Sequence, residues 1–305
     1  MNFSPTQKAA ILAMFGVIAD ETYGLDRVAL NATTFIPLQD GVKSWQSAWG
    51  YKVVSEVGMA KFIADYADDL PPIARFLTPK SVGIKTIGDS YAYSEFELQQ
   101  WLATKVDLSR DDADTARRKI DEKVDEVILV GDKDQDITGL FNNENVTVVE
   151  STAGTSGKTD FENKTYNEIV AQFRAVMNAQ KSLYKDKKVA TKFDSVILPS
   201  DSMSFLETTF VSDNSQITML DALKSMFKNI VNWYESEILE DIGSNSTGRA
   251  VFYKKDKRVV SYVLPEPFRQ KNPQEQALHY KVPCYARIGG TVIKNLKAVM
   301  YCDGV

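Results

Sequence analysis

His279-Tyr-Lys-Val-Pro-Cys-Tyr-Ala-Arg-Ile288, Gly289-Gly290 and Thr291-Val-Ile-Lys-Asn-Leu-Lys-Ala-Val-Met-Tyr-Cys-Asp-Gly-Val305 form one run in a chain of 305 residues. Tyr280, Val282, Cys284, Ala286 and Ile288 fall on alternate positions, the period of a half-buried strand. The two glycines permit a tight reversal, and the apolar run after them reads as a second strand folded back on the first. Alone, this pattern suits many β-rich proteins. Its place after the preceding segments gives it meaning.

Immediately upstream, Gly248-Arg-Ala-Val-Phe-Tyr253 and Arg258-Val-Val-Ser-Tyr-Val263, separated by Lys-Lys-Asp-Lys, read as a hairpin. Before them, residues 151–262 alternate helix and strand. Thr165-Tyr-Asn-Glu168 has the spacing of a capping box, followed by the apolar stripe Ile169, Val170, Phe173, Val176, Met177 and Tyr184. Phe193–Pro199 is a buried-strand candidate, and Thr218-Met-Leu-Asp221 caps a shorter helix through Leu223, Phe227 and Ile230.

Farther back, Ser94-Glu-Phe-Glu97 is another capping box, and Ser109-Arg-Asp-Asp112 opens a helix whose Ala113, Ala116, Ile120, Val124 and Val127 share one face up to Gly131. Together they predict a slightly broken helical rod of about 35 residues, near 50 Å if straight. Residues 45–93 hold strand-like runs at Tyr51–Val57, Lys61–Tyr66 and Ser81–Ile87, split by Pro71-Pro72 and Pro79, and read as a long hairpin with too few apolar residues for its own core. Residues 1–44 read as an arm, with a helix starting near Ser4-Pro5-Thr6 and then polar turns. The apolar run Ala9–Ala19 is too short to span a bilayer and, with Asp20 and Glu21 next to it, reads as a packing helix in preference to a cleaved signal.

A net charge of -5 disfavours gripping a phosphate backbone, yet suits a wall past which packed duplex can slide. The two cysteines, Cys284 and Cys302, lack metal-site spacing and read as free thiols.

No catalytic, cofactor-binding or metal-binding residues are expected. Thr152–Thr159 ends like a phosphate-binding loop in Gly157-Lys158-Thr159, but its first glycine position is Thr152. Asp132, Asp134 and Asp136 open like a calcium loop, with Ile137 at the position that needs glycine and Asn143 at the twelfth. The single histidine, His279, sits in a strand and reads as structural. Glu237, Glu240 and Asp241 read as a solvated helix face.

The C-terminal run, with its Arg287-x-Gly289-Gly290 turn and Tyr301-x-Asp303-Gly304 ending, resembles the close of phage major capsid proteins. Gly139-Leu140-Phe-Asn142 resembles the Gly-Leu-x-Asn turn of tailed-phage capsid proteins and encapsulins. Thr218–Lys224 and Val263-Leu-Pro265-Glu-Pro267-Phe268 are similar to segments of that family's second lobe. The resemblance covers the chain from about Trp45 onward and rests on the order of these motifs.

This resemblance implies an α+β chain with the Hong Kong ninety-seven capsid fold. Its parts would be an N-terminal arm (1–44), an E-loop hairpin (45–93) and a peripheral domain with a long spine helix (94–150). An axial domain (151–262) and C-terminal strands completing the peripheral domain (263–305) would follow. The implied role is a non-enzymatic major capsid protein that self-assembles into pentamers and hexamers of an icosahedral head around double-stranded DNA. Scaffold, portal and decoration proteins are implied as partners, with no membrane and no cofactor, and with assembly in the host bacterial cytoplasm. The family's Lys–Asn cross-links have no identifiable partners here, although Lys61, Lys80 and Lys85 lie in the proposed loop. The rivals are an encapsulin-type compartment shell and a nucleotide-binding enzyme using residues 152–159.

Overall fold

The computed structural model describes residues 30–57, 74–104, 110–184, 191–212 and 215–305. The readings placed on Ser4–Thr6, Ala9–Ala19, Lys61–Tyr66, Pro71-Pro72 and Ser109 lie outside them.

A helical turn, α1 (Ala32–Phe35), is followed by strands β1 (Ala48–Val57) and β2 (Ala74–Gly83), which pair antiparallel from Ala48↔Gly83 to Val57↔Ala74. Pro79 does not split this ribbon: it lies within β2 opposite Lys52. Both strands of a two-stranded ribbon have an open edge, where a residue without an N–H is tolerated. The run Ser81–Ile87, expected as one strand, breaks at Gly83-Ile84. Ile84 is buried against Val263 and Val292, and its amide donates to the Ser47 carbonyl at 2.8 Å. The chain therefore leaves the ribbon, and β3 (Lys85–Ser94) joins another sheet.

Helix α2 (Glu95–Thr104) starts at the expected capping box, with the Glu97 amide donating to Ser94 Oγ (3.2 Å) and the Ser94 amide to Glu97 Oε2 (2.7 Å). Helix α3 (Arg110–Leu129) buries Ala113, Ala116, Ile120 and Val127, as its periodicity predicts. At 20 residues it is about 30 Å long. The small hairpin of β4 (Gly131–Asp132) and β5 (Ile137–Thr138) follows.

The middle of the chain holds β6 (Thr147–Glu150), α4 (Tyr166–Ser182), β7 (Ser195–Pro199), α5 (Ser200–Thr208), α6 (Met219–Met226), β8 (Asn232–Ser236) and β9 (Arg249–Tyr253). Then come β10 (Val260–Val263), β11 (Glu266–Gln270), β12 (Gln274–Gln276), β13 (His279–Ile288), β14 (Gly290–Ile293) and β15 (Val299–Asp303).

Two expected hairpins are corrected. β9 and β10 do not pair: β9 has β15 on one edge and β7 on the other, leaving it no free edge, while β10 pairs with β14. Nor does Gly289-Gly290 fold β14 back on β13. The Gly289 amide donates to the Val263 carbonyl (2.8 Å), and Gly290, at φ +73°, lies where a Cβ would stand 2.2 Å from Ile137 Cγ2. The pair thus passes the chain from one sheet to the next through a space with no room for a side chain.

The first of those sheets is β3 against β13, ten residues in register, with β11 and β12 on the far edge of β13. Tyr91, Tyr93, Val282, Cys284 and Ala286 face the helices, packing with Leu98, Ala116 and Ile120. A five-stranded sheet in the order β6-β15-β9-β7-β8 forms the centre. Every residue of β7, β9 and β15 is buried, because both faces are covered. Ile197, Val251, Tyr253, Val299 and Tyr301 point to the side of α1 and the C-terminal end of α3. Val196, Leu198, Ala250, Phe252, Met300 and Cys302 point to α4, α5 and α6. The stretch 263–305 is therefore divided: β13 lies with β3, and β15 enters the sheet built from residues 147–253.

Candidate functional site

The two quoted motifs meet at one buried junction. Gly139 follows β5 where a Cβ would lie 2.3 Å from the Val130 carbonyl carbon and 2.4 Å from the Gly131 nitrogen, so only glycine allows this approach. Leu140 and Phe141 are fully buried there, their amides donating to the Ile128 (3.0 Å) and Leu129 (2.8 Å) carbonyls at the end of α3. The Tyr301 hydroxyl donates to the Leu140 carbonyl and accepts from the Asn143 amide. Asp303 is completely buried and forms a two-pronged ion pair with Arg249, at 2.6 and 2.7 Å. It also accepts from the Ser244 amide and hydroxyl, both at 2.8 Å. Arg249 completes its set by donating to the Phe141 carbonyl (2.7 Å) and lying 4.6 Å from the Tyr301 ring centre. Burial alone raises the Asp303 pKa; the Arg249 and Ser244 hydrogen bonds outweigh it and hold the carboxyl below its ordinary value. Neither Arg249 nor Ser244 carried a local signal, since the partners lie 54 and 59 residues from Asp303.

The ribbon has a different character. Residues 75–81 of β2 are exposed in unbroken succession, and Phe76 and Leu77 are 59% and 56% exposed. The ribbon pairs with no third strand among the described residues. Its base is anchored by Trp49, Tyr51 and Val82 against Ile84, Val263 and Val292, and by the Arg287 guanidinium donating to the Ser44 and Gln46 carbonyls. Two-stranded ribbons are marginal alone, so these exposed faces and edges call for further packing. A second exposed apolar pair, Phe96 (70%) and Leu278 (62%), lies where the Glu95 amide donates to the Leu278 carbonyl (2.9 Å).

The loop Thr152–Thr159 already uses its own polar groups. The Thr155 amide (2.8 Å) and hydroxyl bond Glu168, the Thr152 amide donates to Gln172 Oε1 (3.1 Å), and the Gly154 amide to the Lys158 carbonyl (2.8 Å). The Thr155 hydroxyl, then the Thr165 and Thr155 amides, bring the Glu168 carboxyl down to about 2. A carboxylate thus occupies the place a phosphate would need. Lys158 is exposed, and the buried cation beneath the loop is Lys164, which donates to Ser151 Oγ and has its pKa lowered by burial.

Asp132, Asp134 and Asp136 lie at the β4–β5 turn, where Asp132 Oδ1 accepts the Gln135 amide at 3.2 Å. No group of three metal-ligating side chains converges among the described residues. His279 is half-buried at the start of β13, opposite Ser94. Cys284 and Cys302 are free and buried in different clusters; burial pushes their thiols up to about 11 and about 12. Glu237 and Glu240 fall in a single 3-10 turn after β8, with Asp241 directly following. No helix among the described residues is long and apolar enough to cross a membrane.

Comparison with known proteins gives a consistent picture. A sequence model described as major capsid protein matches residues 58–305. No curated protein matches the sequence. Among solved structures, the capsid of Myoviridae phage XM1 is similar at TM-score 0.74 and 17% identity, over 93% of this chain and 95% of that one. The capsid of a native GTA particle gives TM-score 0.61 at 11% identity, covering 93% of each chain. The virus-like particle of Pyrococcus furiosus gives TM-score 0.55 at 11% identity, over 98% of this chain and all of its own.

Proposed function

The chain belongs to the major capsid protein family, and from that premise we propose that it builds the closed icosahedral head of a tailed phage from pentamers and hexamers around double-stranded DNA. The observation that carries this reading is the ribbon: ten paired residues with exposed Phe76 and Leu77, packed at the base and pairing with no third strand among the described residues. A neighbouring copy supplies the surface that such an arm lacks. Repeating a modest contact around a closed shell makes the whole stable through symmetry and multivalency.

In this reading residues 1–44 are the N-terminal arm, 45–93 hold the E-loop, 94–150 the peripheral domain with its spine helix, and 151–262 the axial domain, with 263–305 returning through both sheets. The subunit acts structurally, assembles in the host cytoplasm into the virion, and meets scaffold, portal and decoration proteins there.

Electron microscopy of the purified protein tests the proposal. Rings, tubes or shells are expected, and a chain that stays monomeric under all assembly conditions refutes it. Particles filled with protein cargo instead of DNA would move the reading to a nanocompartment shell.

A further inference from the structure

A cleft of about 850 Å³ opens at the base of the ribbon, beside the loops that join β9 to β10 and β14 to β15. Six cations line it: Lys52 and Lys80 from the ribbon, Lys257 and Arg258 from the first loop, Lys294 and Lys297 from the second. Two carboxylates face them. Asp40 pairs with Lys257 Nζ, and Asp256 accepts the Arg258 amide at 2.8 Å. Lys294 is built into the wall, donating to Gln39 Oε1 and the Lys257 carbonyl (2.6 Å each) and lying 5.3 Å from the Trp49 ring centre. Lys52, Lys80 and Arg258 form no ion pair among the described residues. Six cations against two carboxylates leave four positive charges unmatched in a chain whose net charge is -5.

Negative charge collects at the other end of the five-stranded sheet. Asp201 opens α5, and Glu237, Glu240 and Asp241 follow β8. The Glu240 carboxyl is pushed up by burial and by Asp201, Glu237 and Asp241. No Lys or Arg pairs with any of the four among the described residues. Tyr253, next to the basic loops, lies opposite Ser195, whereas Pro199 lies opposite Ser236, next to the acidic group. The two charge groups are thus separated by the strand length, about 16 Å, and cannot neutralise each other within one chain.

We infer that the basic cleft receives the acidic group of a neighbouring copy, so that subunits associate head to tail through opposite ends of this sheet. The inference rests on the shell-building reading. A contact between two different patches generates a ring or shell when its rotation closes, and charge complementarity selects its register.

The test uses full-length protein and two charge reversals, Arg258→Glu with Lys297→Glu in the cleft and Glu237→Lys with Asp241→Lys in the acidic group. Each pair is expected to reduce assembly at least tenfold by light scattering at low salt, with an unchanged melting temperature. The fourfold variant, which swaps the signs at these four positions and leaves each group near zero net charge, is expected to recover assembly in part. Should the cleft reversal melt early, Lys52→Gln with Lys80→Gln on the exposed ribbon replaces it, with a smaller loss expected.

Reversals that assemble like wild type, or a fourfold variant that recovers nothing, overturn the contact while leaving the capsid reading intact. A cleft reversal that assembles normally but loses binding of a 20-base-pair duplex assigns the cleft to nucleic acid instead. A wild type that never associates sinks both.

Discussion

Replacing Arg249 with Met would strip the partner from a carboxylate with no exposed surface. The substitution keeps most of the side-chain volume and removes the two charge-assisted bonds to Asp303, the bond to the Phe141 carbonyl and the contact with the Tyr301 ring. Breaking a buried ion pair from one side costs about 3–5 kcal/mol, because the remaining charge is desolvated and uncompensated. At about 2.1 cal/mol/K per residue, the unfolding entropy of a chain this size is roughly 0.64 kcal/mol/K, so the melting temperature of the free subunit should fall by about 5–8 °C.

The pH dependence gives an independent sign. Asp303 is depressed in the folded protein, so its contribution to stability is present above the unfolded value near 3.9 and lost as pH falls through the lower folded value. Without Arg249, burial raises the same carboxyl, which then takes up a proton more readily. The gap between variant and wild type should therefore be widest at neutral pH and narrow on acidification. Scanning calorimetry of both proteins between pH 4 and 7 measures it. A neutral-pH shift below about 2 °C, or a gap that widens toward acid, would refute the reasoning.

Gly139→Ala should destabilise the subunit by about 3 kcal/mol or more in urea titration, since the new methyl meets backbone atoms of residues 129–131 that cannot step aside. Phe76→Ser with Leu77→Ser should leave the free subunit within about 0.5 kcal/mol of wild type while abolishing shells in electron micrographs. Cys284 and Cys302, with thiols at about 11 and about 12, should react with a thiol reagent at neutral pH only once denaturant unfolds the chain. Calorimetry with a magnesium nucleotide should show no tight binding, and Lys158→Ala should leave that result unchanged; tight binding lost in the variant would revive the enzyme reading.

What could be read from the sequence followed the range of the interaction. Both capping boxes and the stripe of α3 depend on residues three or four apart, and the structure places them where the spacing predicts. Strand existence was legible too, but strand partners were not. Alternation in β13 says that one face is buried without saying which strand lies beside it, and proximity in sequence suggested two hairpins that the sheets do not contain. In β9 and β10 even the alternation is missing, because covering both faces erases it. The Arg249–Asp303 pair and the basic cleft draw on segments far apart in sequence, where no local rule applies.

The position of β15 has a consequence for the order in which a subunit is made. It lies between β6 and β9 and is, among the described residues, the only strand paired with β6, yet it emerges from the ribosome about 150 residues after β6. At about 5–20 residues per second, roughly 8–30 s of synthesis separate the two strands. Until β15 arrives, β6 cannot join the sheet formed by β7, β8 and β9, and the junction of Leu140, Arg249 and Asp303 cannot close. A nascent chain is therefore unable to present a finished surface to its neighbours, and translation itself sets the earliest moment at which it can join them.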